Sequence, residues 1–188
     1  MNYKIVELNP ELAECFADYL ENVDFSHAHH WSTCYCRYYH LDCSSELWQK
    51  RTGTENRLEA IEQIKLGKMK GYLAFDGEKC IGWCNANNIK EFLRFENELD
   101  SITQGKKVGC VICFVVHKDY RGKGVARELL KQSIIDFKSN GYDAVIALPV
   151  ENITEPQKSY RGTLNMYLEN GFKEIEKQDN TRIMMLEY

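Results

Sequence analysis

Proline is nearly absent from this chain, at 3 of 188 residues, and no low-complexity tract accompanies it. With no linker to divide it, a single domain spanning 1–188 is expected, and that length supplies one substantial core without requiring two. No Lys/Arg-rich tract appears and no aromatic-plus-basic pattern suits single-stranded nucleic acid. The formal net charge is -4, so a phosphate-backbone partner is not expected. The N-terminal MNYKIVELNPEL lacks both a long apolar segment and a signal-peptide profile, so a cytoplasmic protein with no membrane partner is expected. In that setting the 8 cysteines read as reduced thiols. Cys80, Cys84, Cys110 and Cys113 fall in apolar strand segments, where cysteine behaves as a small hydrophobe. The apolar share of 44% and charged share of 28% are those of an ordinary soluble globule.

Two phosphate-binding signatures are missing as well. Gly-x-x-x-x-Gly-Lys-Ser/Thr does not occur, which argues against a nucleoside-triphosphate loop with its magnesium-binding hydroxyl. Gly-x-Gly-x-x-Gly does not occur either, since Val125, Ala126 and Arg127 follow Gly122-Lys123-Gly124. What stands there instead is an unbroken apolar run, Val108 to Val116, then a basic glycine turn, then an apolar-striped helix from Gly124 to Asn140 closed by Gly141. A continuous apolar run of that length suits an interior strand buried on both faces. Glycines let the backbone approach a ligand with no side chain in the way. The first free N–H groups of the helix, at its positive dipole end, form an anion site, to which Arg121 and Lys123 add charge. Strand, turn and helix start together predict a pyrophosphate cradle.

The spacing Arg121-x-x-Gly124-x-Ala126 resembles the acetyl-coenzyme A signature of the GNAT (Gcn5-related) N-acetyltransferases, Gln/Arg-x-x-Gly-x-Gly/Ala. The flanking VHKDYRGKGVARELL is similar to that family throughout, with Lys118 where many members carry proline. Tyr167-Leu168-Glu169-Asn170-Gly171-Phe172 resembles the family's later Tyr-x-x-x-Gly-Phe element, and Ala144 to Val150 fits the strand between. The resemblance covers Tyr72 to Tyr188 and implies an α+β domain of the GNAT acyl-coenzyme A N-acyltransferase fold, a mixed central β-sheet flanked by helices. It further implies acetyl-coenzyme A as co-substrate; no metal is expected. Backbone groups of Phe114, Val115 and Val116 would hydrogen-bond the pantetheine and polarise the acetyl carbonyl. Arg121, Gly122, Lys123, Gly124, Val125 and Ala126 would hold the pyrophosphate, mainly through main-chain amides. Tyr167 would protonate the departing thiolate, and Asn152 would help to hold the cofactor.

Around these motifs the pattern gives a first strand over Tyr3 to Leu8 and a helix over Glu11 to Glu21 behind Pro10. Ser45 caps a short helix through Trp48, and Thr54 caps a better one carrying Leu58, Ile61 and Ile64 or Lys65 and stopped by Gly67. Asp76-Gly77 marks a hairpin, Ile89 to Leu99 reads as helix or long loop, and a terminal hairpin turns at Asp179-Asn180. A general base is not identified. Val108 to Val116 holds no carboxylate, which leaves Glu96, Glu98, Asp100, His117 or a water chain.

His27 to Cys43 has the most unusual composition, with Cys34-x-Cys36 set among aromatics and histidines. Similar segments occur in a bacterial subgroup of GNAT-like proteins. One reading is an acceptor-pocket wall of Trp31, Cys34, Tyr35, Cys36 and Tyr38, with Tyr39 beside them. Another is a metal site from Cys34, Cys36, His40 and Cys43, for which the Cys-x-Cys gap is narrow. The third is plain packing of rings and buried thiols. The leading function is an N-acetyltransferase moving an acetyl group to the amine of a small molecule or peptide by direct attack in a ternary complex. Acidic residues near the interior strand would suit a cationic acceptor. A non-catalytic acyl-coenzyme A sensor and a metal- or redox-responsive protein using Cys34/Cys36 are the alternatives, and a homodimer stays open.

Overall fold

The computed structural model describes residues 3–95, 99–103, 105–155 and 159–188. Seven strands form one sheet: β1 (Lys4–Glu7), β2 (Gly71–Asp76), β3 (Lys79–Asn88), β4 (Val108–Val116), β5 (Ala144–Ala147), β6 (Lys173–Gln178) and β7 (Thr181–Glu187). Their order is β1-β2-β3-β4-β5-β7-β6. Only the central pair β4–β5 runs parallel among the described strands, with the helix α5 (Val125–Ser139) as its crossover. The sheet is therefore mixed, with helices on both faces.

Each face is covered for a reason legible in residue spacing. In α1 (Ala13–Asn22), Ala13, Phe16, Ala17 and Leu20 recur at helical period and are buried. That stripe, with Ile61 and Ile64 of α3 (Gly53–Lys65), encloses Trp83 of β3, whose ring lies 4.7 Å from that of Phe16. On the opposite face α5 buries Val125, Leu129, Leu130 and Phe137 against β2 to β5. A β-carbon at Gly82 of β3 would stand 2.8 Å from Val125 Cγ1, so the missing side chain is what lets the start of α5 settle onto the sheet.

β4 and β5 pair only from Val108↔Ala144 to Val111↔Ala147. Pro149 follows and has no N–H with which to extend the ladder. The chain turns instead toward β7, where Pro149 accepts from the Arg182 N–H and Val150 bridges Thr181. Beyond Val111 the edge of β4 thus parts from β5 and opens a gap in mid-sheet.

Several element limits differ from the sequence expectation. The cap of α3 is Thr52, not Thr54: Thr52 accepts from the Glu55 N–H at 3.2 Å while Glu55 accepts from the Thr52 N–H at 2.7 Å, a reciprocal capping box. Leu58 faces outward at 60% exposure, and Ala60 takes its place in the buried stripe. The short helix α2 (Ser45–Lys50) is capped by Ser44 rather than Ser45. Between Ile89 and Phe95 the chain makes two 3₁₀ turns, followed by the short helix α4 (Asp100–Thr103). The helix before the terminal hairpin is α6 (Leu164–Glu169), capped by Thr163. No helix among the described residues is long and apolar enough to cross a membrane.

Candidate active site

The glycine turn and helix start singled out in the sequence lie at the gap. Gly122 and Gly124 have φ of +73° and +87°, the left-handed region, and no neighbour would obstruct a β-carbon at either. Backbone conformation, not space, requires glycine here. Gly124 is the N-cap of α5 without a side-chain cap, and the first intrahelical bond runs from the Glu128 N–H to the Gly124 carbonyl. The amides of Val125, Ala126 and Arg127 precede that bond and point outward at the positive end of the helix. A cavity of about 390 Å³ opens in front of them, lined by Arg121, Gly122, Gly124, Val125 and Ala126 on one side and Ser159, Tyr160, Gly162 and Thr163 on the other.

A second cavity, about 310 Å³, lies on the α1 side of the gap. Its walls are Phe25, Trp31, Tyr35, Tyr38, Tyr39 and Trp48, its floor Cys36, Cys113 and Val115. The segment behind it is irregular: 3₁₀ turns at His29–Trp31 and Tyr38–His40 flank Tyr35 and Cys36, whose φ of +44° and +54° are strained for side-chain-bearing residues. Burial of both side chains holds that strain in place. Phe114, Val116, Arg121 and Tyr160 line both cavities, so the two meet where β4 leaves β5. Arg121 is pinned at the junction by the carbonyls of Val116 and Asp24, each at 3.2 Å.

Of the residues singled out in the sequence, Trp31, Cys34, Tyr35, Cys36 and Tyr38 come together around the aromatic cavity. Phe114, Val116, Arg121, Gly122, Gly124, Val125 and Ala126 come together at the cradle. Val115 faces the aromatic cavity alone, and Lys123 turns its ammonium over the Tyr120 ring instead of into the cradle. Asn152, with φ of +59°, is exposed in the turn after β5 and lines neither cavity; its amide points to Asn180 at 3.5 Å. The detour of the chain toward β7 carries it away.

Tyr167 is wholly buried, and its hydroxyl donates to the Arg161 carbonyl at 2.6 Å. Burial pushes its pKa well above that of an ordinary phenol. That hydroxyl lies directly behind Gly162 on the cradle wall, 3.0 Å from where a β-carbon would stand. The Phe114 N–H, expected to serve the pantetheine, donates to the Tyr160 carbonyl at 2.6 Å. The strap Ser159–Gly162 therefore occupies the open edge of β4.

Among the base candidates, Glu96 and Glu98 lie outside the described residues. Asp100 is exposed at the start of α4, away from both cavities. His117 caps the turn Lys118–Tyr120 and accepts from the Asp119 N–H, again lining neither. Partial burial and the charge of Lys79 hold its pKa below the usual value. Sequence reasoning missed His27, His30, Trp48, Tyr160 and Arg161, all at the aromatic cavity. No linear spacing relates them to the motifs. No described carboxylate lines that cavity.

The thiols do not gather as a metal set. Cys36 Sγ lies 3.8 Å from Cys113 Sγ and accepts from Trp83 Nε1; His40 is held between the Glu91 carbonyl and Asn85; Cys43 accepts from Arg94. No group of three metal-ligating side chains converges among the described residues. Burial pushes Cys34 up to about 12, and contact with Cys113 and burial raise Cys36 well above the usual thiol. Neither is a thiolate at neutral pH.

Comparison with known proteins gives the same architecture. The family model described as "Acetyltransferase (GNAT) family" matches residues 26–172. Similar solved structures include a GNAT-family acetyltransferase from Streptococcus pneumoniae, 17% identical over 100% of both chains with a TM-score of 0.57. The PaiA N-acetyltransferase of Thermoplasma acidophilum in complex with coenzyme A is 16% identical over 100% of both chains, TM-score 0.56. A mosquito arylalkylamine N-acetyltransferase-like protein is 12% identical over 100% of both chains, TM-score 0.61. At these identities the likeness speaks to the fold. No curated protein matches the sequence.

Proposed function

The chain belongs to the GNAT acetyltransferase family, and from that premise we propose that it moves an acetyl group from acetyl-coenzyme A to the amine of a small molecule or peptide, by direct attack in a ternary complex. Membership brings acyl-coenzyme A-dependent acetyl transfer with it. The observation that carries the rest is the junction: a phosphate-ready cradle and an aromatic cavity share the wall Phe114, Val116, Arg121 and Tyr160. A thioester arm entering from one side reaches an amine held on the other with no covalent relay between them.

The diphosphate rests on the amides of Gly124 to Arg127, where helix dipole and unpaired N–H groups favour negative charge. The Phe114 N–H takes the pantetheine or the acyl oxygen once Tyr160 releases it. As attack proceeds the thioester oxygen gains charge, and a preorganised backbone donor is worth about 3 kcal/mol there. The attacking amine must arrive neutral. An alkylammonium of pKa about 10 loses its proton more readily beside Arg121 and Arg161, since like charge disfavours the cation. His27 and His30 border the same space, and an imidazole nitrogen there can accept the amine's proton. Tyr167 remains the candidate donor to the leaving thiolate: when the strap moves, the Arg161 carbonyl that now holds its proton moves too.

The deciding experiment is calorimetric titration with coenzyme A followed by thiol release from acetyl-coenzyme A with a panel of amines. Uptake of coenzyme A and amine-dependent thiol release are expected, with Tyr167→Phe lowering kcat on the order of 100-fold at little cost in acceptor KM. Absence of coenzyme A uptake would overturn the proposal.

A further inference from the structure

A guanidinium is always charged and presents five N–H donors in a rigid plane, so a half-buried arginine lacking a carboxylate raises the question of what anion it awaits. Other partly buried arginines here are engaged within the chain, and Arg94, which also has no described carboxylate, is held by the Tyr38 carbonyl and ring and by Cys43 and lines neither cavity. Arg37 has Glu59 at 3.3 Å, Arg57 has Asp18 at 2.8 Å, and Arg182 has Glu151 at 2.8 Å. Arg121 has the Asp24 carboxylate near enough for that group to feel its charge. Arg161 differs. It lines the aromatic cavity, and no described carboxylate lies within ion-pair distance of it.

Its contacts are neutral. Nε and Nη2 both donate to the Tyr39 hydroxyl, at 3.1 Å and 2.8 Å, and Nη1 reaches the Leu148 carbonyl at 3.5 Å. The rings of Tyr39 and Tyr160 flank the guanidinium at 5.5 Å and 5.7 Å. These contacts engage Nε and both terminal nitrogens, with the Tyr160 hydroxyl close enough to add to them; each terminal nitrogen carries a second N–H, and a carboxylate can take such a pair as a fork. Tyr39 is itself held by the Tyr160 hydroxyl at 3.0 Å and by stacking on Phe95. The fork is thus preorganised at the edge of a cavity whose walls are aromatic.

Resting on the transfer reading above, we infer that the acceptor is an amine that also bears a carboxylate and an aromatic or large apolar body, with Arg161 reading the carboxylate. A zwitterionic acceptor of that kind supplies the anion that Arg161 lacks, lays its apolar body against Trp31, Tyr35 and Trp48, and presents its amine toward the junction. A plain alkylamine would leave two arginine charges facing an incoming cation with nothing between them.

The test pairs acceptors that differ only in the carboxylate: L-phenylalanine against 2-phenylethylamine and L-tryptophan against tryptamine. Each is titrated calorimetrically into the free protein and into its coenzyme A complex. Each amino acid is expected to bind at least about tenfold more tightly than its amine, the scale of a bidentate charge-assisted pair. Arg161→Gln should remove that preference, and Arg161→Lys should keep only a fraction of it, because an ammonium offers a point charge and no fork. Should Arg161→Gln misfold, Tyr39→Phe, which removes the anchoring hydroxyl, should still weaken the preference severalfold. Equal or tighter binding of either amine, or failure of both amino acids to bind at millimolar concentration, overturns the inference. Coenzyme A uptake is scored separately: its absence removes the transfer reading, while the preference is still read on the free protein.

Discussion

Protonating His40 would place a charge on a ring almost wholly withdrawn from water. The ring is 6% exposed, with Nδ1 2.9 Å from the Glu91 carbonyl and Nε2 against the Asn85 amide. Burial, reinforced by Arg37, holds its pKa down to about 4. The unfolded chain takes up that proton near pH 6.5, so between 6.5 and 4 the unfolded state binds more protons than the folded one. The stabilisation is complete above that window and drains away as pH falls through it, by about 3 kcal/mol at most. Urea midpoints should therefore fall between pH 7 and pH 4.5, and His40→Gln should flatten the slope. Gly124 makes a different kind of demand. With φ at +87°, Gly124→Val forces a β-branched residue into a left-handed conformation at a cost of about 1–2 kcal/mol and displaces the first amides of α5. Gly67→Val meets a similar penalty at φ +70° on the surface. Both should lower the melting temperature, and only the first should raise the coenzyme A Kd, as calorimetry would read. The turn at Gly124 was legible in the sequence because it follows from residue type and neighbours. Arg161 was not, since its meaning lies in the anion it lacks and in Tyr39, far away in the chain.

On the proposed reading, the strap Ser159–Gly162 is the element that a cofactor must negotiate. It closes on itself through the Gly162 N–H to the Ser159 carbonyl and on β4 through Tyr160. A pantetheine arm that takes the Phe114 N–H must evict the Tyr160 carbonyl. Hydrogen exchange read by mass spectrometry should then show peptides covering 159–163 exchanging faster with coenzyme A bound, while Phe114 stays protected by its new partner. Slower exchange in 159–163 would mean that the arm runs elsewhere. Regular elements were the legible part of the fold. The interior strand, its long crossover helix, and the stops at Gly141 and Gly171, with φ of +68° and +86°, follow from apolar period and helix-end chemistry. The cap of α3 went astray although Thr52-x-x-Glu55 holds the full reciprocal pattern, because Thr54 also fits a cap when read alone. The stretch 27–43 has no period to read. Its left-handed Tyr35 and Cys36 are imposed by packing against Trp83 and Cys113, which lie on strands far along the chain.

At the scale of the molecule, two cavities meeting at one wall make a kinetic prediction. If both substrates are present together, initial rates against acetyl-coenzyme A at several acceptor concentrations should give intersecting double-reciprocal lines, and protein incubated with acetyl-coenzyme A alone should gain no acetyl mass. Parallel lines with an acetylated residue would replace direct attack by a covalent relay. The order of strands and helices could be read along the chain. The aromatic cavity could be read only in part, because it draws on α1, the segment 25–39, α2, β4 and the strap at once. A division of labour follows from how the two sides are made. On the proposed reading the donor side grips with peptide groups at the start of α5 and along β4, which are the same whatever side chains the chain carries. The acceptor side is made of rings and two arginines. Exchanging 25–43 together with position 161 should therefore retarget the protein to a new amine while leaving the engine that handles the thioester untouched, and makes that cassette the natural unit for engineering.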